Sequence, residues 1–336
     1  MEPKRINVAL QGGGAHGAFT WGVLETLIQS EDVAIDGVTG TSAGAMNAAV
    51  MMSGYMAGAE AGACAALEDF WRDVSEAARL SPFQRTPLDV ALGNWSLDAS
   101  PAYLAYDLAS RLIPPAVANP LDINPLAPIV EKHVDFAALR RCRDLKLFVA
   151  ATNVRTGKAR IFPHTELSCD ALLASACLPE MFAPVMIDDE PYWDGGFLGN
   201  PPLYPLFYET ETPDTLIVQI NPIVRRDVPF TAREIVNRVN EITFNSSLMK
   251  ELRAVRFVTR LIEDGKLNAD EYMRVRLHRI ASDALLPLSA SSKLNAEWAF
   301  LLHLRQIGRE SAQAWLQRHL VDVGVRDTID LDTELS

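Results

Sequence analysis

Near the start of the chain Ile6, Val8 and Leu10 alternate with Asn7 and Ala9, a period of two that predicts a short strand ending at Gln11. A glycine loop, Gly12 to Gly17, follows it. Between Phe19 and Ile28 the period lengthens, and Trp21, Leu24, Leu27 and Ile28 recur at helical spacing. Val33 to Thr39 predicts a second strand, which runs into Gly40-Thr41-Ser42-Ala43-Gly44. Helical texture resumes at Ala45 and continues, with glycine breaks, to about Ala78. Strand, loop, helix, strand, turn, helix is the opening of a mostly parallel α/β sheet.

Residues 80–128 change character: eight prolines fall among Phe83, Trp95, Tyr103 and Tyr106. Regular elements there must be short, as over Ala102 to Leu112. Such a stretch is either a lid over a site or an ordinary connecting excursion. Leu145 to Asn153 returns to strand, and Arg155-Thr156-Gly157 turns it into Lys158 to Phe162, a hairpin. Ala171 to Cys177 reads as helix, and proline is dense again from 179 to 213. A buried strand over Thr215 to Asn221, helix over Thr231 to Ile262, strand over Met273 to Ile280 and helix over Leu294 to Leu320 complete the pattern. With no repeat or linker, one domain with insertions is expected: a core over 5–222 and a helical extension with one strand over 223–336.

A hydrophobic fraction of 49% and a charged fraction of 22% are those of a packed globular chain. The 43 acidic against 31 basic residues, a net charge of −12, exclude a nucleic-acid binder, which needs clustered Lys and Arg. The same excess disfavours electrostatic docking on an anionic membrane and leaves apolar capture of a substrate. Cys64, Cys142, Cys169 and Cys177 form no metal or redox spacing and read as reduced thiols. The first residues, Met1-Glu2-Pro3-Lys4-Arg5, carry no apolar leader pattern, so a cytoplasmic protein is expected. The Ala- and Gly-rich run from Ala43 to Leu67 suits a packed internal helix rather than a membrane span.

Three motifs carry candidate chemistry. Glycines flanking Ser42 in Gly40-Thr41-Ser42-Ala43-Gly44 allow a sharp strand-to-helix turn that pushes a nucleophilic hydroxyl outward. The loop Gln11-Gly12-Gly13-Gly14-Ala15-His16-Gly17 leaves backbone N–H groups open to an anion, either an oxyanion or a phosphate. Gly12, Gly14 and Gly17 also satisfy a dinucleotide fingerprint, with Asp36 placed 19 residues on as a ribose acid; that oxidoreductase reading leaves Ser42 unexplained. Asp194-Gly195-Gly196 puts a carboxylate on a glycine turn, where a plain turn is the simpler reading of the tripeptide alone. His278, His303 and His319, the only histidines after Asp194, lack the loop context of a triad base.

Together the motifs resemble the patatin-like phospholipases, which carry a glycine-rich oxyanion loop, a G-x-S-x-G elbow and a distant D-G-G/A in this order. Ser175-Ala176-Cys177-Leu178-Pro179 is similar to the family's S-x-x-x-P block, and Thr152-Asn153 to Gly157 to its central hairpin. Asn240 to Asn245 and Ser292 to Asn295 are similar to the longer tail of a bacterial branch. The resemblance implies a three-layer α/β/α, patatin-like (FabD/lysophospholipase-like) fold. It implies a lipid acyl hydrolase with Ser42 as nucleophile and Asp194 as base. Gly12, Gly13, Gly14 and Ala43 would form the oxyanion hole and Gly40 and Gly44 the elbow, supported by His16, Gly17, Gly195 and Gly196. No metal or cofactor is implied; the partner would be a lipid or other acyl ester, with transient contact at a membrane surface allowed. The resemblance assigns no oligomeric state, and a catalytically silent lipid-binding protein stays open beside the hydrolase. One departure stands out: position 16 is His where the family's loop commonly has Arg, exchanging a permanent charge for a group expected to titrate near neutral pH.

Overall fold

A computed structural model describes residues 2–110, 112–268 and 271–336. Eight strands form one sheet: β1 (Lys4–Leu10), β2 (Val33–Gly40), β3 (Lys146–Asn153), β4 (Lys158–Pro163), β5 (Val185–Ile187), β6 (Glu190–Asp194), β7 (Asp214–Val218) and β8 (Arg276–Ile280). The order is β5-β6-β3-β2-β1-β7-β8, with β4 also paired to β3. From β3 to β8 every pairing is parallel, and the pairings of β4, β5 and β6 are antiparallel.

The two-residue period decides which face each side chain meets. Ile6, Val8 and Leu10 of β1, with Leu147 and Val149 of β3, enter one core layer beneath α1 (Gly17–Ile28), α2 (Ala43–Ala78) and the Trp298–His319 helix. Ala9, Phe148, Ile217 and Leu277 point the other way, into a layer closed by the Tyr204–Glu209 and Ala232–Glu263 helices. The result is the expected α/β/α sandwich around a mostly parallel sheet. Asn7 is buried like its apolar neighbours, and its Nδ2 donates to Thr210 Oγ1 (2.8 Å) and the Thr212 carbonyl (2.9 Å).

Boundaries differ from the periodic pattern where caps and contacts intervene. Helix α1 begins at Gly17, directly after a 3-10 turn over Gly14–His16, rather than at Phe19. Helix α2 starts at Ala43 and is kinked at Gly58-Ala59, where the backbone leaves the helical region. Thr231 closes a capping box with Glu234 at the head of the Ala232–Glu263 helix. In the 80–128 stretch the helix expected over 102–112 spans Pro101–Ala109, and Arg111 lies outside the described residues. No helix among the described residues is long and apolar enough to cross a membrane.

One feature of the sheet places the site. Strand β3 pairs with β4 along one edge, from Phe148 to Asn153. Its other edge is shared: Lys146 to Val149 pair with β2, ending at Gly40, and Ala151 to Asn153 pair with β6, beginning at Asp194. Gly40 and Asp194 are therefore anchored two positions apart on one strand, roughly 7 Å at strand rise. Strands β5 and β6 are absent from the periodic reading of the proline-dense 179–213 stretch, yet β6 is the element that delivers Asp194.

Candidate active site

Ser42 sits between the end of β2 and the start of α2, half-buried, with φ 54° and ψ −124°. A non-glycine residue is strained there, and the strain persists only because the surroundings over-determine it. Gly44 lets the turn close: a Cβ at that position would collide with the Leu10 carbonyl of β1. The Ser42 N–H donates to Ser175 Oγ at 2.9 Å, and Thr41 Oγ1 donates to the Gly199 carbonyl at 2.6 Å. The Ala43 N–H, at the positive end of α2, has no partner among the described residues.

The glycine loop lies against this turn. A Cβ on Gly12 would stand 2.8 Å from Ser42 Cβ, so only glycine permits the approach. The Gly12 N–H donates to Asn200 Oδ1 at 2.7 Å and is thereby withdrawn from the oxyanion set, whereas no partner engages the N–H groups of Gly13 and Gly14 among the described residues. Behind the loop lies a buried cluster of amides. Gln11 Oε1 accepts from the N–H groups of Ile220 (2.9 Å) and Asn221 (2.8 Å). Gln11 Nε2 donates to the Asn200 carbonyl and to Asn245 Oδ1, each at 3.1 Å.

Asp194 closes β6. Its N–H donates to the Cys177 carbonyl (2.8 Å), Thr152 Oγ1 donates to its carbonyl (2.8 Å), and the Gly196 N–H donates to its Oδ1 (2.7 Å). The Ser175–Cys177 segment thus braces both halves of the site, through the Ser42 N–H and the Asp194 N–H. Burial pushes the Asp194 carboxyl up to about 7; hydrogen bonds from Gly196 and the Ser42 hydroxyl pull against it, Glu180 reinforces it and Lys293 opposes it. A carboxyl poised at that value beside a hydroxyl is equipped to take its proton.

The family model for patatin-like phospholipases matches residues 8–207, which include the glycine loop, the serine turn and Asp194. The chain belongs to the patatin-like phospholipase family. Membership carries the coarse activity, lipid acyl hydrolysis. Among solved structures the chain is similar to VipD from Legionella pneumophila, with 14% identity, 90% of this chain and 67% of that chain covered, and a TM-score of 0.39. It is also similar to the type III effector protein ExoU, with 16% identity, 95% of this chain and 54% of that chain covered, and a TM-score of 0.36. No curated protein matches it.

Against the patatin-like pattern, His16 requires a correction. It is buried, with Nε2 2.7 Å from Ser292 Oγ and its ring edge-on to Phe300. Burial, then Lys293 and Arg225, lower it to about 3, so it stays neutral near pH 7 and does not titrate there as expected. Asp36 sits in a bulge of β2, short of the strand's C-terminal end, and pairs with Arg5 at 3.0 Å. That leaves the dinucleotide reading without its ribose acid. His278 is paired with Asp214 (3.0 Å) at the far end of β7, not with Ser42. Ser175, Asn200, Asn221, Asn245 and Lys293 belong to the site or its support, and periodicity alone marks none of them. An amide beside a glycine motif is the available signal: Gln11 directly precedes the glycine loop, and Asn200 lies four residues beyond Gly196.

Proposed function

We propose that this patatin-like protein hydrolyses lipid acyl esters through a Ser42–Asp194 dyad without a histidine. Asp194 takes the proton of the Ser42 hydroxyl as its Oγ attacks the ester carbonyl. The N–H groups of Gly13 and Gly14, with Ala43 as a further donor, receive the oxyanion; each such donor is typically worth about 10²–10³ in rate. The alcohol leaves with the proton, and water, deprotonated by the same carboxylate, releases the acid from the acyl-enzyme. The observation that carries this reading is the buried Asp194 carboxyl, brought by β6 to the edge of β3 that also anchors the Ser42 turn, with no histidine bonded to either residue among those described.

The surroundings favour an apolar substrate. A groove of about 1510 Å³ carries the apolar side chains of Ile220, Ile223, Val224 and Phe230 among charged ones that include Arg225, Arg238, Glu241 and Arg279, and it includes Asn221. Neither Ser42 nor Asp194 lines it, but the Ile220 side chain stands against Gly13. Two fringes project large apolar side chains, the 80–128 stretch with Leu80 (93% exposed), Leu88 and Leu92, and the loop after β7 with Val228 and Phe230 (92% exposed). Arg233 ties them through Asp98 at 3.2 Å. Apolar contact with an aggregated lipid surface fits a chain of net charge −12 better than charge attraction does. Four unpaired cysteines suit a reducing compartment.

The test is labelling by a fluorophosphonate, with the adduct located by peptide mass spectrometry. Wild type should carry it on Ser42, Ser42→Ala should not label, and fatty acid should be released from a panel of phospholipids, lysophospholipids and aryl esters. Equal labelling of Ser42→Ala, or an unlabelled wild type, would sink the proposal.

A further inference from the structure

The C-terminal extension brings an ammonium group to the glycine loop. The 3-10 turn Ser291–Leu294 packs on the loop so closely that the Lys293 carbonyl stands 2.5 Å from where a Cβ on Gly14 (φ +57°) would be. Lys293 Nζ donates to Asn221 Oδ1 at 2.7 Å, and Asn221 Nδ2 donates to the Gly12 carbonyl at 2.8 Å. The Gly12 carbonyl and the Gly13 N–H belong to one planar peptide and point in opposite directions. Holding the carbonyl on Asn221 therefore fixes the aim of the N–H. A chain running from a cation through an amide to a peptide also polarises that N–H as a donor.

We propose that Lys293 is a positioning residue of the oxyanion loop, holding the Gly12-Gly13 peptide through Asn221 and bringing to the loop an ammonium group where His16 is neutral. This rests on the Ser42–Asp194 reading. The charges around it come from several elements. Lys293 faces Glu241 of the Ala232–Glu263 helix, Arg225 of the loop after β7 and Asp194 of β6, with His16 of the glycine loop nearby. Glu241 is itself held by Arg225 (2.6 Å) and Arg238 (3.0 Å). Asp194 faces Glu180 as well as Lys293, and the Cys177 thiol lies beside it. Burial and the neighbouring Arg225 cation pull the ammonium below the ordinary lysine range, while Glu241 and Asp194 work to keep it charged. Removing this cation takes away an influence that favours the Asp194 carboxylate, so activity should need a higher pH.

The experiment uses full-length Lys293→Met, Lys293→Gln and Lys293→Arg, with the rate of fluorophosphonate labelling and kcat/KM on a p-nitrophenyl ester followed from pH 5 to 9. Lys293→Met is expected to lose about tenfold in kcat/KM and to shift its acid limb upward by about half a unit or more. Lys293→Gln keeps a donor for Asn221 without the charge; it should show the shift with a smaller loss, and it serves in place of Lys293→Met if that variant does not fold. Lys293→Arg should restore both. Neutral variants whose limb stays at the wild-type position would overturn the role of Lys293 while leaving the dyad intact. A wild type that never labels would remove the dyad, and this proposal with it.

Discussion

Asp194 and Asp214 are both 1% exposed and stand at strand ends in the same sheet, yet their surroundings drive them in opposite directions. Burial pushes both up. At Asp214 the hydrogen bonds of His278 (3.0 Å), Arg276 (2.7 Å) and the Gly324 N–H (2.9 Å) outweigh it and hold the carboxyl well below the ordinary range. At Asp194 the donors are one peptide N–H and the Ser42 hydroxyl, and the carboxyl rises to about 7. Full satisfaction makes an anchor that ties the 322–335 tail to the sheet edge. Partial satisfaction leaves a carboxylate able to accept one more proton.

The sharpest way to break this comparison is to neutralise each partner in turn. Asp194→Asn should lower kcat/KM by about 10²–10⁴-fold. On the proposed mechanism the carboxylate is the working form, so the wild-type rate should rise along an acid limb centred near 7. A pKa raised above its ordinary 3.8 means that the folded state holds the proton more tightly; that stability is complete below pH 4 and is lost as pH rises through 7. Asp194→Asn should therefore melt with wild type at pH 4 and above it at pH 9, and a lower melting temperature at pH 9 would contradict the burial argument. Asp214→Asn should do the reverse. It should destabilise the fold by about 3–5 kcal/mol, because Arg276 loses its buried counter-ion, with folded protein near wild-type activity. A depressed carboxyl contributes its stability above the ordinary range and loses it only as pH falls through the lower folded value. The deficit should thus be constant in melts from pH 5 to 8. The smallest effect belongs to a carboxylate in neither class: Asp36→Ala removes an exposed pair with Arg5 and should cost at most about 1 kcal/mol, with no change in hydrolysis.

What the chain revealed before folding was what local pattern controls. The first strand, the glycine loop and the serine turn lie within one βαβ opening, and period and glycine placement specify them. The β3–β4 hairpin was equally plain, since Gly157 takes φ +64° at its turn. Strands β5 and β6 were not legible. With three and five residues they are too short to show a period, and they are strands because β3 offers them partners. The fate of His16 was hidden for a related reason, because its neutrality is a property of the Ser292–Phe300 pocket contributed from the far end of the chain. Gln11, Asn200, Asn221 and Asn245 likewise become one cluster only after chain segments about two hundred residues apart have met.

The shared edge of β3 has a consequence for the order in which the protein is made. A ribosome delivers Ser42, the glycine loop and both pairing strands of the first core long before it delivers β6. Until β6 adds to β3 beyond Val149, Asp194 is not held beside the serine turn. On the proposed mechanism an emerging chain is chemically idle toward lipids, and the activity switches on with the docking of one five-residue strand.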